Sequence, residues 1–382
     1  MLFIYSILVT LAYILALPLL VYLWLKPKYK KSIPARFFLK DNPPFLHQGI
    51  WFHAASLGEI RSLKPFIDAL NTKEINISVI TQTGFNEAIK YQYAHVRYLP
   101  FELFLPFWMK KQNVLIVLEA ELWPMLFYVA KAKRTKTILL NARISDRSYA
   151  SYLRFAVIYR WIFRFIDTVF AQTALDKERL ESLGARNVHV SGNIKTFQRY
   201  AVTHDYKKES NKRVVVLAST HEKEEALILS RIELLPNDKL IVVPRHPERF
   251  DAVDAFLKVY AQEKGRSYGR LSHHEYEGYD VVLCDKMGEL INFYAIADVV
   301  ILGGSFVQGV GGHNPLEPAF FGVKLISGTY TFNQNALFPL VENVIVCDEK
   351  ELKEVFAQSQ TMLASRMIHS GDIAPILKEI IG

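Results

Sequence analysis

Cysteine is nearly missing from this chain: Cys284 and Cys347 are the whole supply in 382 residues, and neither has a CxxC neighbour. That excludes a disulfide framework and a cysteine-built zinc site. It suits a reducing compartment, where both thiols pack as small apolar side chains. Acids are scarce at the front, since none precedes Asp41. Residues 1–200 hold 27 Lys and Arg against 13 Asp and Glu, whereas residues 201–382 hold 19 against 25. A uniformly basic chain would suggest nucleic acid. A basic half joined to an acidic half instead points one face toward an anionic surface or substrate. RNP motifs, zinc knuckles and basic–aromatic repeats are absent, so no nucleic acid is expected as a partner. No His, Cys or Asp cluster has metal-ligand spacing, and neither a metal nor another cofactor is expected.

Charge is absent altogether from Leu2 to Leu25. As a helix, that run exceeds the ~20 residues needed to span a hydrocarbon core. Basic residues follow it (Lys26, Lys28, Lys30, Lys31 and Arg36), the reverse of a secretory signal. Residues 1–25 therefore read as a membrane-anchor helix, with the rest on the cytoplasmic side by the positive-inside rule. An in-plane helix, which Pro18 would suit, and an apolar helix buried in a soluble core are the alternatives.

The length suits two domains. After the anchor, β-rich runs alternate with helical stretches, the pattern of parallel sheets with crossover helices. The first series is Ile50–Ala54, Ile75–Thr81, Val114–Leu118, Thr137–Asn141, Thr168–Gln172 and Val188–Val190. A polar stretch from Thr203 to Lys212 reads as a linker. The second series is Val214–Ala218, Leu240–Pro244, Val281–Cys284, Val299–Leu302, Lys324–Ile326 and Val344–Val346. The expected fold is α/β, with two Rossmann-like domains, 26–203 and 204–382, facing a cleft. A last helix over about Met362–Ile381 could belong to either domain.

Ligands of such sheets bind at the carboxyl ends of the strands, and polar motifs gather there. His53-Ala54-Ala55-Ser56-Leu57-Gly58-Glu59 ends the first strand ahead of a helix from about Ile60. Glu59 is placed either as a general base or as a first-turn acid favoured by the helix dipole. Glu119 and Glu121 follow a buried strand, as site carboxylates or as caps ahead of Pro124. Lys195, after Ser191-Gly192-Asn193, either neutralises a phosphate or is simply solvated. In the second half, Ser219-Thr220-His221-Glu222, Pro244-Arg245-His246-Pro247 and Asp285-Lys286-Met287-Gly288-Glu289 end three strands. Arg245 can grip a phosphate bidentately. Gly303-Gly304-Ser305 and Gly311-Gly312-His313-Asn314-Pro315-Leu316-Glu317 form a glycine-rich loop running into a helix, which suits a phosphate. Glu317 there could accept from both ribose hydroxyls. This half is expected to bind a nucleotide.

The blocks HAASLGE (53–59), EAELWP (119–124), NARIS (141–145), SGNIK (191–195), ASTHE (218–222), PRHPER (244–249), DKMGEL (285–290) and GGHNPLEP (311–318) resemble, in order and spacing, the family of 3-deoxy-D-manno-octulosonic acid (Kdo) transferases. The similarity runs over nearly the whole chain, anchor included. It implies a GT-B glycosyltransferase with CMP-Kdo as donor and the lipid A precursor, a tetraacyldisaccharide bisphosphate, as acceptor, working at the inner membrane among its lipids. It implies Glu59 as catalytic base, Glu121 as a second acid with Glu119 in reserve, and Lys195 near developing charge. Donor contacts carry over to Pro244, Arg245, Met287, Gly288, Glu289, Asn314, Pro315, Leu316 and Glu317. Three places depart from the family pattern: Tyr98-Leu99-Pro100-Phe101-Glu102, where the family commonly has Asp in place of Glu102; a longer loop between Ser305 and Gly311; and Gly328-Thr329-Tyr330. A GT-B transferase using a UDP-sugar and a membrane-tethered nucleotide-binding protein without turnover are the rival readings. The second would have no use for Glu59, Glu119 and Glu121.

Overall fold

The structure, a computed structural model, describes residues 1–382 except 71, 73, 275, 369 and 370. The chain divides into two compact units, one of residues 1–198 with 370–382 and the other of residues 199–369.

The first unit is built on a parallel sheet of β1 (Ile50–Ala54), β2 (Ile75–Val79), β3 (Ala94–Tyr98), β4 (Val114–Leu118), β5 (Lys136–Ala142), β6 (Thr168–Ala171) and β7 (Val188–Val190), in the order β3-β2-β1-β4-β5-β6-β7. Its central strands are apolar on both faces, as strands covered by helices on both sides must be. Val114-Leu115-Ile116-Val117-Leu118 is buried at every position. Alternate residues feed different layers: Trp51, Leu115, Val117 and Leu139 pack on one face, and Phe52, Ile77, Ile116 and Leu140 on the other. β3 has no strand signal in the sequence, because Ala-His-Val-Arg-Tyr is an edge with polar residues turned outward. The strand order reverses between β1 and β4, so the crevice for a ligand lies where those two end.

The first helix, Leu2–Trp24, is long and apolar enough to cross a membrane. Most of it is exposed, with Phe3, Leu8, Leu15 and Leu19 bare. One side rests on the first unit. Tyr5 Oη donates to the Glu102 carboxylate, and Tyr13 Oη donates to the Phe37 carbonyl at 2.7 Å. The Tyr13 ring stacks on Phe101.

The second unit repeats the plan. Its strands are β8 (Arg213–Thr220), β9 (Asp238–Pro244), β10 (Tyr268–Arg270), β11 (Val281–Leu283), β12 (Val299–Leu302), β13 (Lys324–Ser327), β14 (Val341–Glu342), β15 (Val344–Val346) and β16 (Arg366–Met367). Seven form a parallel sheet in the order β10-β11-β9-β8-β12-β13-β15, while β14 and β16 pair antiparallel. The reversal here falls between β8 and β12. The polar stretch 203–212 is not a free tether. Asn292 Oδ1 accepts the Thr203 N–H at 2.8 Å, and the fully buried Lys239 ammonium pairs with Glu209 at 2.6 Å. The tail departs from the expected helix over 362–381. Residues 366–367 form β16, and the helix runs only over Ala374–Ile381. Gly371 and Pro375 explain the late start, since proline is tolerated only in a helix's first turn.

Candidate functional site

β1 delivers the chain to Ser56, which caps the helix Leu57–Ser62. The Ser56 hydroxyl donates to Glu59 Oε1 at 2.7 Å and accepts the Glu59 N–H at 3.3 Å, while Glu59 Oε2 accepts the Ala55 N–H at 2.9 Å. Glu59 thus closes a reciprocal cap, and its side chain is nearly fully buried. Burial raises its pKa most. The hydrogen bonds from Ser56 and Ala55 oppose that rise, and the charges of Glu119 and Glu121 add to it. A Cβ at Gly58, next to Glu59 in the chain, would meet nothing within 4 Å.

β4 ends next to β1, and there Glu119 takes a left-handed φ of 56° that turns its side chain at the strand's end. Its Oε1 lies 3.1 Å from Lys195 Nζ. Lys195 is held by the Asn193 side chain, which accepts its N–H at 3.0 Å, and Asn141 Oδ1 accepts the neighbouring Ile194 N–H at 3.1 Å. Glu121 accepts from Trp123 Nε1 at 2.6 Å. Its carboxyl is raised by burial, with the Trp123 bond and the Arg36 charge pulling the other way. The fold therefore brings Glu59, Glu119, Glu121 and Lys195 together at the β1/β4 reversal. Arg36 joins them, and the sequence reading had it among the basic residues after the anchor. It sits in the short helix Ser32–Phe38, donates to the Leu99 carbonyl at 3.0 Å, and is lowered by burial to about 10. Its apolar neighbours Ile33, Pro34, Ala35 and Phe37 were the signal, since a surface arginine has no reason to sit in such a run.

In the second unit, β8 is interrupted near its end at Ser219, at φ 54°, and the chain runs on from Thr220 to Glu224. Glu224 is fully buried and accepts four N–H groups, those of His221 at 2.8 Å, Gly304 at 2.7 Å, Ser305 at 3.1 Å and Phe306 at 3.0 Å. This corrects the expectation for Gly303-Gly304-Ser305: the donors after β12 already hold a carboxylate and are not a phosphate cradle. Glu225 beside it takes the Arg249 guanidinium and the Thr220 hydroxyl.

What remains for an anion is the other part of the loop and the end of β9. Pro244 closes β9, and Arg245 after it is exposed, its N–H bonded to the Thr220 carbonyl at 3.0 Å. His221 Nε2 and His313 Nε2 are 2.9 Å apart, and the His246 ring centroid is 5.0 Å from that of His221. Burial, then the charges of His221, Arg245 and His246, push His313 down to about 4. The three imidazoles were not singled out from the sequence, although each lies in a strand-end block. Asn314 Oδ1 accepts the Leu316 N–H at 3.0 Å, and Asn314 Nδ2 donates to Glu317 Oε1 at 3.2 Å. Pro315 and Leu316 are buried, and Glu317 is half-buried in the first turn of the helix Leu316–Phe320. Gly311 needs its left-handed φ of 89°, and a Cβ there would come within 2.6 Å of the Phe332 ring.

The block after β11 divides. Met287 is exposed and Gly288 has φ 92°, both consistent with an open turn. Glu289 instead accepts from Tyr206 Oη at 2.9 Å and Asn292 Nδ2 at 2.8 Å, which ties down the 203–206 segment.

Known proteins share sequence and fold with this chain. Residues 31–198 match the sequence profile of the 3-deoxy-D-manno-octulosonic-acid transferase (kdotransferase) family. A 3-deoxy-D-manno-octulosonic acid transferase of Haemophilus influenzae is 32% identical over 347 residues, covering 83% of this chain and 79% of that protein. A bifunctional glycosyltransferase/methyltransferase of Fusobacterium nucleatum is 32% identical over 81% of this chain, which spans about half (52%) of that relative's length. Among solved structures, the UDP-GlcNAc 2-epimerase of Neisseria meningitidis superposes with a TM-score of 0.53 at 12% identity, over 87% of this chain and 99% of that one, a likeness of fold.

Proposed function

The chain belongs to the 3-deoxy-D-manno-octulosonic acid (Kdo) transferase family, and from that kinship we propose that it moves Kdo from CMP-Kdo to the lipid A precursor with inversion at the anomeric carbon. The observation that carries this reading is the cluster at the β1/β4 reversal. One buried carboxylate, Glu59, is raised, with two further acids and a lysine beside it.

The chemistry asks for such a group. A sugar hydroxyl loses its proton as it attacks, so a positioned base of raised pKa is required. In our reading Glu59 takes that proton. Glu121, oriented by Trp123 and faced by Arg36, positions the acceptor, with Glu119 as the alternative. Lys195 offsets negative charge at the reacting centre. The departing CMP phosphate gains charge, and Arg245 with the His221, His246 and His313 ring nitrogens offers donors for it. Asn314, Pro315, Leu316 and Glu317 would seat the nucleoside, and Met287 and Gly288 would border it. Glu289 we read as holding the pocket's wall rather than touching donor, because its carboxylate is bonded to Tyr206 and Asn292. Inversion follows from direct displacement with a single base, and no step is assigned to a metal.

The exposed apolar helix Leu2–Trp24, with the basic residues after it, supports anchoring in the inner membrane with both units on the cytoplasmic side. The test is mass spectrometry of products from purified protein with CMP-Kdo and lipid A precursor. A mass gain of whole Kdo units is expected. No gain with CMP-Kdo, but transfer from a UDP-sugar, would overturn the donor.

A further inference from the structure

At the foot of the first helix lies a cavity of about 560 Å³ that the reaction does not use. Its aromatic walls are Trp24, Phe85 and Tyr98, the last two stacked at 4.5 Å. Lys30, Lys31, Lys40 and Arg97 also line it, against one acid, Asp41. None of these four cations makes an ion pair among the described residues.

The site is held in shape. Asn42, buried at its floor, donates to the Ala35 and Tyr98 carbonyls and accepts the Tyr98 N–H, fastening the Ser32–Phe38 helix to β3. Leu39 and Asp41, on either side of Lys40, have left-handed φ of 55° and 52°. Such strain in residues with side chains persists only where the surroundings impose it. Arg97 spends two donors on the Pro43 and Val96 carbonyls, which aim the guanidinium without neutralising it. The Lys40 ammonium stands 5.4 Å from the Trp24 ring centroid.

We propose that this pocket binds the phosphate headgroup of an anionic bilayer phospholipid. Two features favour a lipid over a soluble anion. Trp24 is the last residue of the apolar helix, so the pocket opens where that helix would leave the hydrocarbon, at the depth of headgroups. Aromatic walls beside four cations and one acid match a molecule that is apolar at one end and anionic at the other. The proposal rests on reading the helix as membrane-embedded.

The test needs neither a bilayer nor turnover to read binding, so its failure is separable from failure of the anchor or the activity. Full-length protein in neutral detergent is titrated with phosphatidylglycerol, and retained lipid is counted by native mass spectrometry. The wild type should keep one phosphatidylglycerol, and reaching the same occupancy with phosphatidylcholine should take roughly tenfold more. The double variant Lys40→Gln, Arg97→Gln should lose about tenfold or more in that affinity. The charge-matched pair Lys26→Gln, Lys28→Gln, outside the pocket, should stay near wild type. Lys40→Gln alone, at an exposed position, carries the test should the double variant fold poorly. Equal loss in both pairs, or equal retention of phosphatidylcholine, would reduce the effect to general charge or detergent partitioning and overturn the site. Displacement by inorganic phosphate would make it a free-phosphate site and overturn the lipid. Turnover on dispersed acceptor should be unchanged in Lys40→Gln, Arg97→Gln. A raised KM at constant kcat would give the pocket to the acceptor instead.

Discussion

Glu119 and Lys195, distant in sequence, meet at 3.1 Å where β4 ends, and each is about a third exposed or less. At that exposure the pair contributes little to stability, roughly 0.5–1 kcal/mol in a double-mutant cycle. Its role in our reading is to hold a cation beside Glu59. Lys195→Ala should lower kcat by ~10-fold or more, in line with a lost transition-state contact, and move the melting temperature little. A large melting shift with normal kcat would make the pair structural.

Glu59 caps its helix and, in our reading, takes the acceptor's proton, and substitution separates the two. Gln keeps hydrogen-bonding groups for the cap but cannot take a proton. Glu59→Gln should therefore fold near normally and lose ~10²-fold in kcat. Glu59→Ala should in addition lose ~1 kcal/mol of stability with the cap. Wild-type turnover in the Gln variant, by initial-rate assay, would remove the base assignment.

The pH profile follows from the same group. Burial, then the neighbouring Glu119 and Glu121 charges, lift Glu59 above the ordinary carboxylate range against its hydrogen bonds. A base works only when ionised, so kcat should fall as pH drops through that raised value. Stability runs the other way. The folded state holds this proton more tightly than the unfolded chain, so the group's contribution is greatest at low pH and is lost as pH rises through the folded pKa. Glu121→Gln removes one charge that raises Glu59, and the acid limb of its kcat profile should move to lower pH. An unmoved limb would show that Glu59 does not titrate in it.

Glu224 closes the loop after β12 with four backbone N–H groups. Glu224→Ala leaves them unpaired in a buried place and should cost ~3 kcal/mol or more, at about 1–3 kcal/mol per buried group left unsatisfied. Thermal melting reads that loss. Calorimetry with CMP should show weakened binding in the same variant, because the Gly304 carbonyl accepts the Gly312 N–H at 2.7 Å and so ties this turn to the segment that carries His313. Full stability would mean that water replaces the carboxylate.

Arg36 sets apart two truncations that look alike in sequence. A chain starting at Lys26 keeps Arg36 and should turn over detergent-dispersed acceptor. It should also bind anionic vesicles at low salt and release them as screening shortens to ~8–10 Å. A chain starting at Asp41 loses Arg36 together with buried Ile33 and Ala35. Its turnover should fall steeply, with Arg36→Gln reproducing most of the loss. Equal turnover of both truncations would leave Arg36 without a part.

The amino-acid sequence alone determined the uncharged run from Leu2 to Leu25, the two series of buried strands and the polar blocks that end them. These are local signals: an apolar run, a strand-length hydrophobic stretch, and glycine or acid just past it. The edge strands β3 and β10 were not legible, because Ala94–Tyr98 and Tyr268–Arg270 have too few apolar residues to signal burial. Tertiary structure alone decided what each block touches. Two carboxylates that look equivalent in Glu119-Ala120-Glu121 were divided by the fold, one to Lys195 and one to Trp123 and Arg36. A glycine loop that reads as a phosphate cradle was filled by Glu224, 80 residues earlier in the chain. Such pairings depend on which strands the crossovers set side by side, and a crossover's destination leaves no periodic trace in the residues it joins.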